Sequence, residues 1–138
     1  MKDTPCDICD FELWLPIATL NVSTLSLYSD SRFPGRSILK LNRHVDALED
    51  MEDSLLYQYM SDVKTAVNAL KTVTGSKRIN FSILGNTVSH VHAHLIPRYP
   101  ELETFPGKSP WNDPRKLTSL SEQEERDLIN RIRVGLNT

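Results

Sequence analysis

Three histidines fall within five residues, in the run His90-Val91-His92-Ala93-His94, and the chain has only four in all. Imidazole is not a favoured strand residue, so packing gives no reason to gather three. Near neutral pH it is a nucleophile, an acid–base catalyst and a metal ligand. In a strand alternate side chains share a face. His90, His92 and His94 then line one surface, roughly 7 Å apart, while Val91, Ala93 and Leu95 point into a core. Two chemistries use such a surface. Three imidazoles can hold one zinc with water in the fourth position, as in a metallohydrolase. Alternatively one imidazole attacks phosphorus while the others orient it and hold the phosphate. The residue types alone leave both open.

Cys6 and Cys9 are the chain's two cysteines, spaced C-x-x-C. One such pair does not make a disulfide framework. A thioredoxin-like redox pair sits between a strand and a helix, and no strand signal precedes these thiols. Half a zinc site is the better reading.

The elements that must position these groups follow from the hydrophobic pattern. Residues 1–19 read as an irregular lead. Val22 to Tyr28 and Ser37 to Leu41 read as two strands of a hairpin, joined by the turn chemistry of Ser29-Asp30-Ser31-Arg32-Phe33-Pro34-Gly35. Leu48, Met51, Leu55, Tyr59, Val63, Ala66, Leu70 and Val73 make one helical stripe, and Gly75 ends it. Arg78 to Leu84 and Val88 to Arg98 read as two more strands, turned at Gly85-Asn86. A proline-rich loop carrying Trp111 follows. Ser121-Glu122-Gln123-Glu124 is a capping box that opens a last helix, with Leu128, Ile129, Ile132 and Leu136 on its buried face. The expectation is an α+β domain: an antiparallel sheet with one long helix packed on it and a C-terminal helix.

The chain's 138 residues suit one domain over 1–138, with 101–138 as C-terminal loop and helix. A net charge of −2 gives no reason to expect a stable nucleic-acid partner. No apolar run is long enough to span a bilayer. Met1-Lys2-Asp3-Thr4-Pro5 is not followed by an apolar signal region, so a cytoplasmic protein without a membrane partner is expected.

His90-Val91-His92-Ala93-His94-Leu95-Ile96 resembles the signature of the histidine triad (HIT) superfamily: His-x-His-x-His, then two apolar residues. Gly85-Asn86-Thr87-Val88-Ser89 is similar to the family's Gly-Gln-Ser/Thr-Val segment, and Pro97-Arg98-Tyr99 recurs in bacterial members. The resemblance covers roughly residues 20–100 and extends back to Phe33-Pro34-Gly35. The Trp111 loop has counterparts in bacterial dinucleoside polyphosphate hydrolase-like members.

The resemblance implies a HIT-like fold and a division of labour. His92 is the nucleophile that attacks the α-phosphorus of a nucleotide, its tautomer fixed by a backbone carbonyl near the first histidine. His94 contacts the phosphate. Asn86, one methylene shorter than the family's glutamine, and Thr87 donate to phosphate oxygens. Asp30 is the candidate for ribose hydroxyls, Phe33 and Leu27 for the base, Arg98 for the phosphates, and Trp111 for covering the site. In relatives that bind zinc, including galactose phosphate uridylyltransferases, the ligand set corresponds to Cys6, Cys9, His44 and His90, which makes a closed structural site. No organic cofactor is implied.

The activity so implied is hydrolysis of a phosphoanhydride or phosphoramidate bond, in a dinucleoside polyphosphate or nucleoside phosphoramidate, through a nucleotidyl-histidine. A nucleotidyltransferase or phosphorylase is the alternative within the superfamily, although His94 favours hydrolysis. A nucleotide sensor with little turnover is a third reading. The resemblance also implies a homodimer.

Overall fold

The computed structural model describes residues 14–87 and 89–137. Among the described residues five strands form one antiparallel sheet: β1 (Leu15–Thr19), β2 (Ser23–Leu27), β3 (Ser37–Leu41), β4 (Ile79–Ser82) and β5 (His92–Pro97), in the order β1-β2-β3-β5-β4. Helix α1 spans Asp53–Thr74 and helix α2 spans Glu122–Leu136. The expected α+β architecture is the observed one, with one more strand.

That strand is β1, which lies where an irregular lead was expected. It pairs antiparallel with β2, with Leu15 opposite Leu27 and a register shift between Pro16 and Ala18. Five residues containing a proline carry little strand signal, and tertiary contacts supply the rest. The Asp62 carboxylate, buried on α1, accepts from the backbone N–H of Asn21 (3.2 Å) and Val22 (2.9 Å) and from the Ser23 hydroxyl (2.7 Å). These bonds tie the β1–β2 turn to the helix.

The long apolar stripe is divided in two. Leu48–Asp50 is a separate 3-10 turn, Met51 is extended, and α1 begins at Asp53 after Glu52. The break is invisible to periodicity because Leu48 and Met51 keep a spacing of three. Tyr59, Val63, Ala66, Leu70 and Val73 of α1 pack on Leu25, Leu39, Leu41, Ala93 and Leu95 from one face of the sheet. The Tyr59 hydroxyl donates to the Leu39 carbonyl at 2.8 Å. Ser121 and Glu124 form the expected capping box. Leu128 and Ile132 then bring α2 into the same core. The Arg133 Nε bonds to the Ile17 carbonyl at 2.7 Å, fastening α2 to β1. Among the described residues no helix is long and apolar enough to cross a membrane.

The opposite face of the sheet carries His92 and His94. There Lys40 stands opposite His92, while Ile38 and Ser82 flank His94 on either side. The β2–β3 turn rises beside this face. It needs Gly35, whose φ is +97°, since a Cβ there would also meet Thr74 Cγ2 at 2.8 Å.

Candidate active site

Strand β5 begins at His92, so His90 lies just before it and the three imidazoles do not form one evenly spaced row. The segment before β5 bonds away from β4 instead: the Val91 N–H donates to the Val45 carbonyl (2.8 Å), and its carbonyl accepts from Leu41 (3.1 Å). His90 is thereby turned toward Leu41 and His44. His92 and His94 remain neighbours, their ring centroids 5.4 Å apart and steeply inclined.

His92 is buried, and its Nδ1 lies 2.7 Å from the His90 carbonyl oxygen. A carbonyl only accepts, so Nδ1 carries the proton and Nε2 carries the lone pair. The backbone thus leaves one ring nitrogen ready to act as a nucleophile. Trp14 lies on one side, with its ring 6.1 Å from His92.

His94 is half-buried. Burial first, then the charge of Arg36 and the proximity of His92, push it down to about 4. It is therefore a neutral ring at neutral pH. Arg36 Nη2 lies 3.4 Å from its Nδ1. Trp111, from the C-terminal loop, meets it edge-on at 5.0 Å. A cleft of about 280 Å³ opens beside it, lined by Asn80, Ser82, Ile96, Pro110 and Trp111.

Asn86 and Thr87 are exposed in the turn that precedes the histidines, where Gly85 has φ +69°. Four other expected contact residues are placed elsewhere. Asp30 is fully buried and its carboxylate is taken by Arg32 and Arg36, each at 2.9 Å, which removes it from ribose hydroxyls. Burial raises its pKa, but those hydrogen bonds outweigh burial and hold it below the usual carboxylate value. Arg98 is also buried: its Nε pairs with the Glu103 carboxylate at 2.9 Å and its Nη1 with Asn80 at 2.7 Å. It braces the C-terminal loop instead of meeting phosphate. Leu27 belongs to the core beneath the sheet, and Phe33 is buried with the Arg32 and Arg115 guanidiniums over its ring. Neither can flank a base.

Arg36 was not singled out by the sequence, because an arginine after a turn glycine reads as a surface residue. It is 3% exposed, its guanidinium lies 3.8 Å over the Tyr28 ring, and it reaches both Trp111 and His94.

Cys6 and Cys9 lie outside the described residues. The other two expected zinc ligands come together. His90 Nε2 lies 2.7 Å from the Leu41 carbonyl, and His44 Nε2 lies 2.9 Å from the Asp46 carboxylate. Both acceptors require protons on the Nε2 atoms, so both Nδ1 lone pairs face each other, 3.2 Å apart. Two lone pairs at that distance need a cation between them, a proton or a metal ion. Two nitrogens on one tetrahedral zinc, each at about 2.05 Å, stand about 3.3 Å apart. The outer hydrogen bonds to a carbonyl and a carboxylate are those of zinc-bound histidines. The pair therefore fits half of a tetrahedral site. Among the described residues no group of three His, Cys, Asp or Glu gathers as a metal site.

A family model described as the HIT domain matches residues 17–101. An uncharacterised HIT-like protein of Methanocaldococcus jannaschii is 32% identical over 72 residues, which cover 49% of this chain and 56% of that protein. The match thus spans little more than half of that curated relative. A histidine triad protein from Sinorhizobium meliloti superposes with a TM-score of 0.79 at 28% identity, covering 88% of this chain and 89% of its own. Two more distant structures share the fold. One is a zinc-bound histidine triad family protein from Mycobacterium smegmatis (TM-score 0.68, 17% identity, 96% and 93% covered). The other is the Plasmodium falciparum diadenosine triphosphate hydrolase (TM-score 0.59, 19% identity, 92% and 79% covered).

Proposed function

The chain belongs to the HIT domain family, and from that premise we propose that it hydrolyses a nucleotide at the α-phosphorus through a nucleotidyl intermediate on His92. The observation that carries this reading is the 2.7 Å bond between His92 Nδ1 and the His90 carbonyl, which leaves Nε2 as a lone-pair nucleophile. The substrate is a dinucleoside polyphosphate or a nucleoside phosphoramidate. That a diadenosine triphosphate hydrolase shares the fold supports the substrate class.

In the first step His92 Nε2 bonds to the α-phosphorus as the bond to the leaving oxygen or nitrogen breaks. The leaving group departs with that electron pair and, where it is an amine, takes up a proton from solvent as it leaves. In the second step a water oxygen bonds to phosphorus, the P–N bond breaks and its pair returns to Nε2, while a water proton passes to solvent. Dividing one difficult displacement into two easier ones is the gain of covalent catalysis. His94 donates to the phosphoryl oxygens on which charge builds. Asn86 and Thr87, in the turn ahead of β5, are the further phosphate donors.

We also read Cys6, Cys9, His44 and His90 as ligands of one structural zinc, a reading that the Nδ1 geometry of the histidine pair supports. Held by these residues, zinc would be structural: it would join Cys6 and Cys9 to His90, the residue whose carbonyl orients His92. The chain is read as a homodimer, with the open edge of β4 and the face of α1 as the contact surfaces, which sedimentation at micromolar concentration tests.

The catalytic reading is tested by trapping. Substrate labelled in the α-phosphate is mixed with the protein and quenched in alkaline detergent, where phosphoramidate linkages persist. Label on the peptide containing His92 is the expected result. Turnover without label on any histidine sinks the proposal.

A further inference from the structure

Asp30, Arg32 and Arg36 form a cluster with one charge too many. Arg32 alone satisfies Asp30: its backbone N–H (2.9 Å) and Nε (3.0 Å) reach Oδ1, and its Nη2 (2.9 Å) reaches Oδ2. Arg36 Nη1 adds a second cation to the same Oδ2 at 2.9 Å. The adjoining pair, Asp113 and Arg115, is balanced. Three guanidiniums therefore meet two carboxylates beside the histidines.

The faces of Tyr28 and Trp111 offset only part of the cost of a surplus cation that is 3% exposed, and an anion would complete it. Arg36 also leaves its Nε buried without a hydrogen-bond partner, a defect that a purely structural arginine would not need. Its remaining arm goes to His94 Nδ1. A guanidinium donates at every nitrogen and accepts at none. His94 Nδ1 must then hold the lone pair, and the ring proton must sit on Nε2.

We propose that Asp30 and Arg36 are positioning residues: Asp30 holds Arg36, and Arg36 holds His94 as the Nε2–H tautomer, which donates to an anionic phosphoryl group whose charge completes the surplus guanidinium. This rests on His94 being the phosphate partner in the reading above. Both act through His94, the ring that Arg36 reaches. The groups that face His94 are Arg36, His92 and Trp111, so Arg36 is the fixed charge among them.

The test uses the full chain without substrate, so it succeeds or fails independently of any intermediate on His92. Long-range nitrogen–proton spectra of the histidine rings report each tautomer directly. The wild-type His94 is expected as Nε2–H, and a wild-type Nδ1–H ring overturns the proposal at once. In Arg36→Gln the ring is expected to become a mixture of tautomers, and Arg36→Lys is expected to restore part of the preference. Inorganic phosphate, titrated into the same samples, should shift the His94 resonances and bind about tenfold more weakly to Arg36→Gln than to wild type. If Arg36→Gln does not fold, Asp30→Asn combined with Arg36→Gln removes both charges and is read in the same way. A folded variant with unchanged tautomer and unchanged phosphate binding shows Arg36 to be only an anchor of the turn.

Discussion

His92 donates its Nδ1 proton to the backbone carbonyl of His90, two residues earlier, at 2.7 Å. A histidine that will direct Nε2 at an electrophile needs the other nitrogen protonated, and here the peptide chain supplies the acceptor without using another side chain. The bond holds only if the segment before β5 keeps its position against Leu41 and Val45.

Replacing the proposed nucleophile separates chemistry from binding. His92→Ala is expected to lose at least ~10³-fold in turnover, while circular dichroism and nucleotide binding by calorimetry stay close to wild type. Retained turnover in a folded His92→Ala protein would falsify the nucleophile assignment.

Acid should loosen the fold through His94. Its pKa is lowered from 6.5 to about 4 in the folded chain, by burial, then by Arg36 and His92. Between those values the unfolded chain takes up a proton that the folded chain refuses. The contribution is therefore fully present above pH 6.5 and is lost as pH falls toward 4. Urea midpoints measured across that range should fall with pH, and they should fall less steeply in His94→Asn. Equal slopes for the two proteins would remove His94 as the cause.

Metal content is directly measurable. About one zinc per chain is expected from the proposed ligand set of Cys6, Cys9, His44 and His90. His44→Ala should purify with much less metal and melt at a lower temperature. Chelation should lower the melting temperature of wild type but not of His44→Ala. Chelator that abolishes turnover while leaving the melt unchanged would contradict a structural role.

Asp62 should matter far from the chemistry. Its carboxylate accepts from two backbone N–H groups and the Ser23 hydroxyl. Asp62→Asn turns one acceptor into a donor facing donors, and the expected loss is about 2–4 kcal/mol in equilibrium unfolding. A change below 0.5 kcal/mol would mean that the β1–β2 turn holds without it.

The parts legible in the sequence are those whose signal is local. The step of three and four from Leu55 to Val73, the Ser121–Glu124 capping box and the alternation Val91, Ala93, Leu95 each follow from one element's own geometry. What was hidden depends on residues far apart in the chain. Strand β1 is made a strand by β2 and by Asp62, 40 residues beyond Val22. Asp30 sits in turn chemistry that ordinarily faces water, and only the folded chain shows it fully buried between two arginines. Arg36 carried no motif, yet it reaches His94, 58 residues away. His90 kept its place in the motif but left the strand, because Val91 bonds to Val45 rather than to the β4 ladder.

The two aromatic neighbours of His92 and His94 have a practical consequence. Trp14 lies beside His92 and Trp111 beside His94, and the chain has no other tryptophan. Tryptophan emission, excited selectively over the four tyrosines, therefore originates beside these two histidines. Trp111→Phe leaves an indole near His92, and Trp14→Phe leaves one near His94. Stopped-flow fluorescence of the two single-tryptophan proteins can follow the arrival of a nucleotide and the release of its product separately, with no label attached to either.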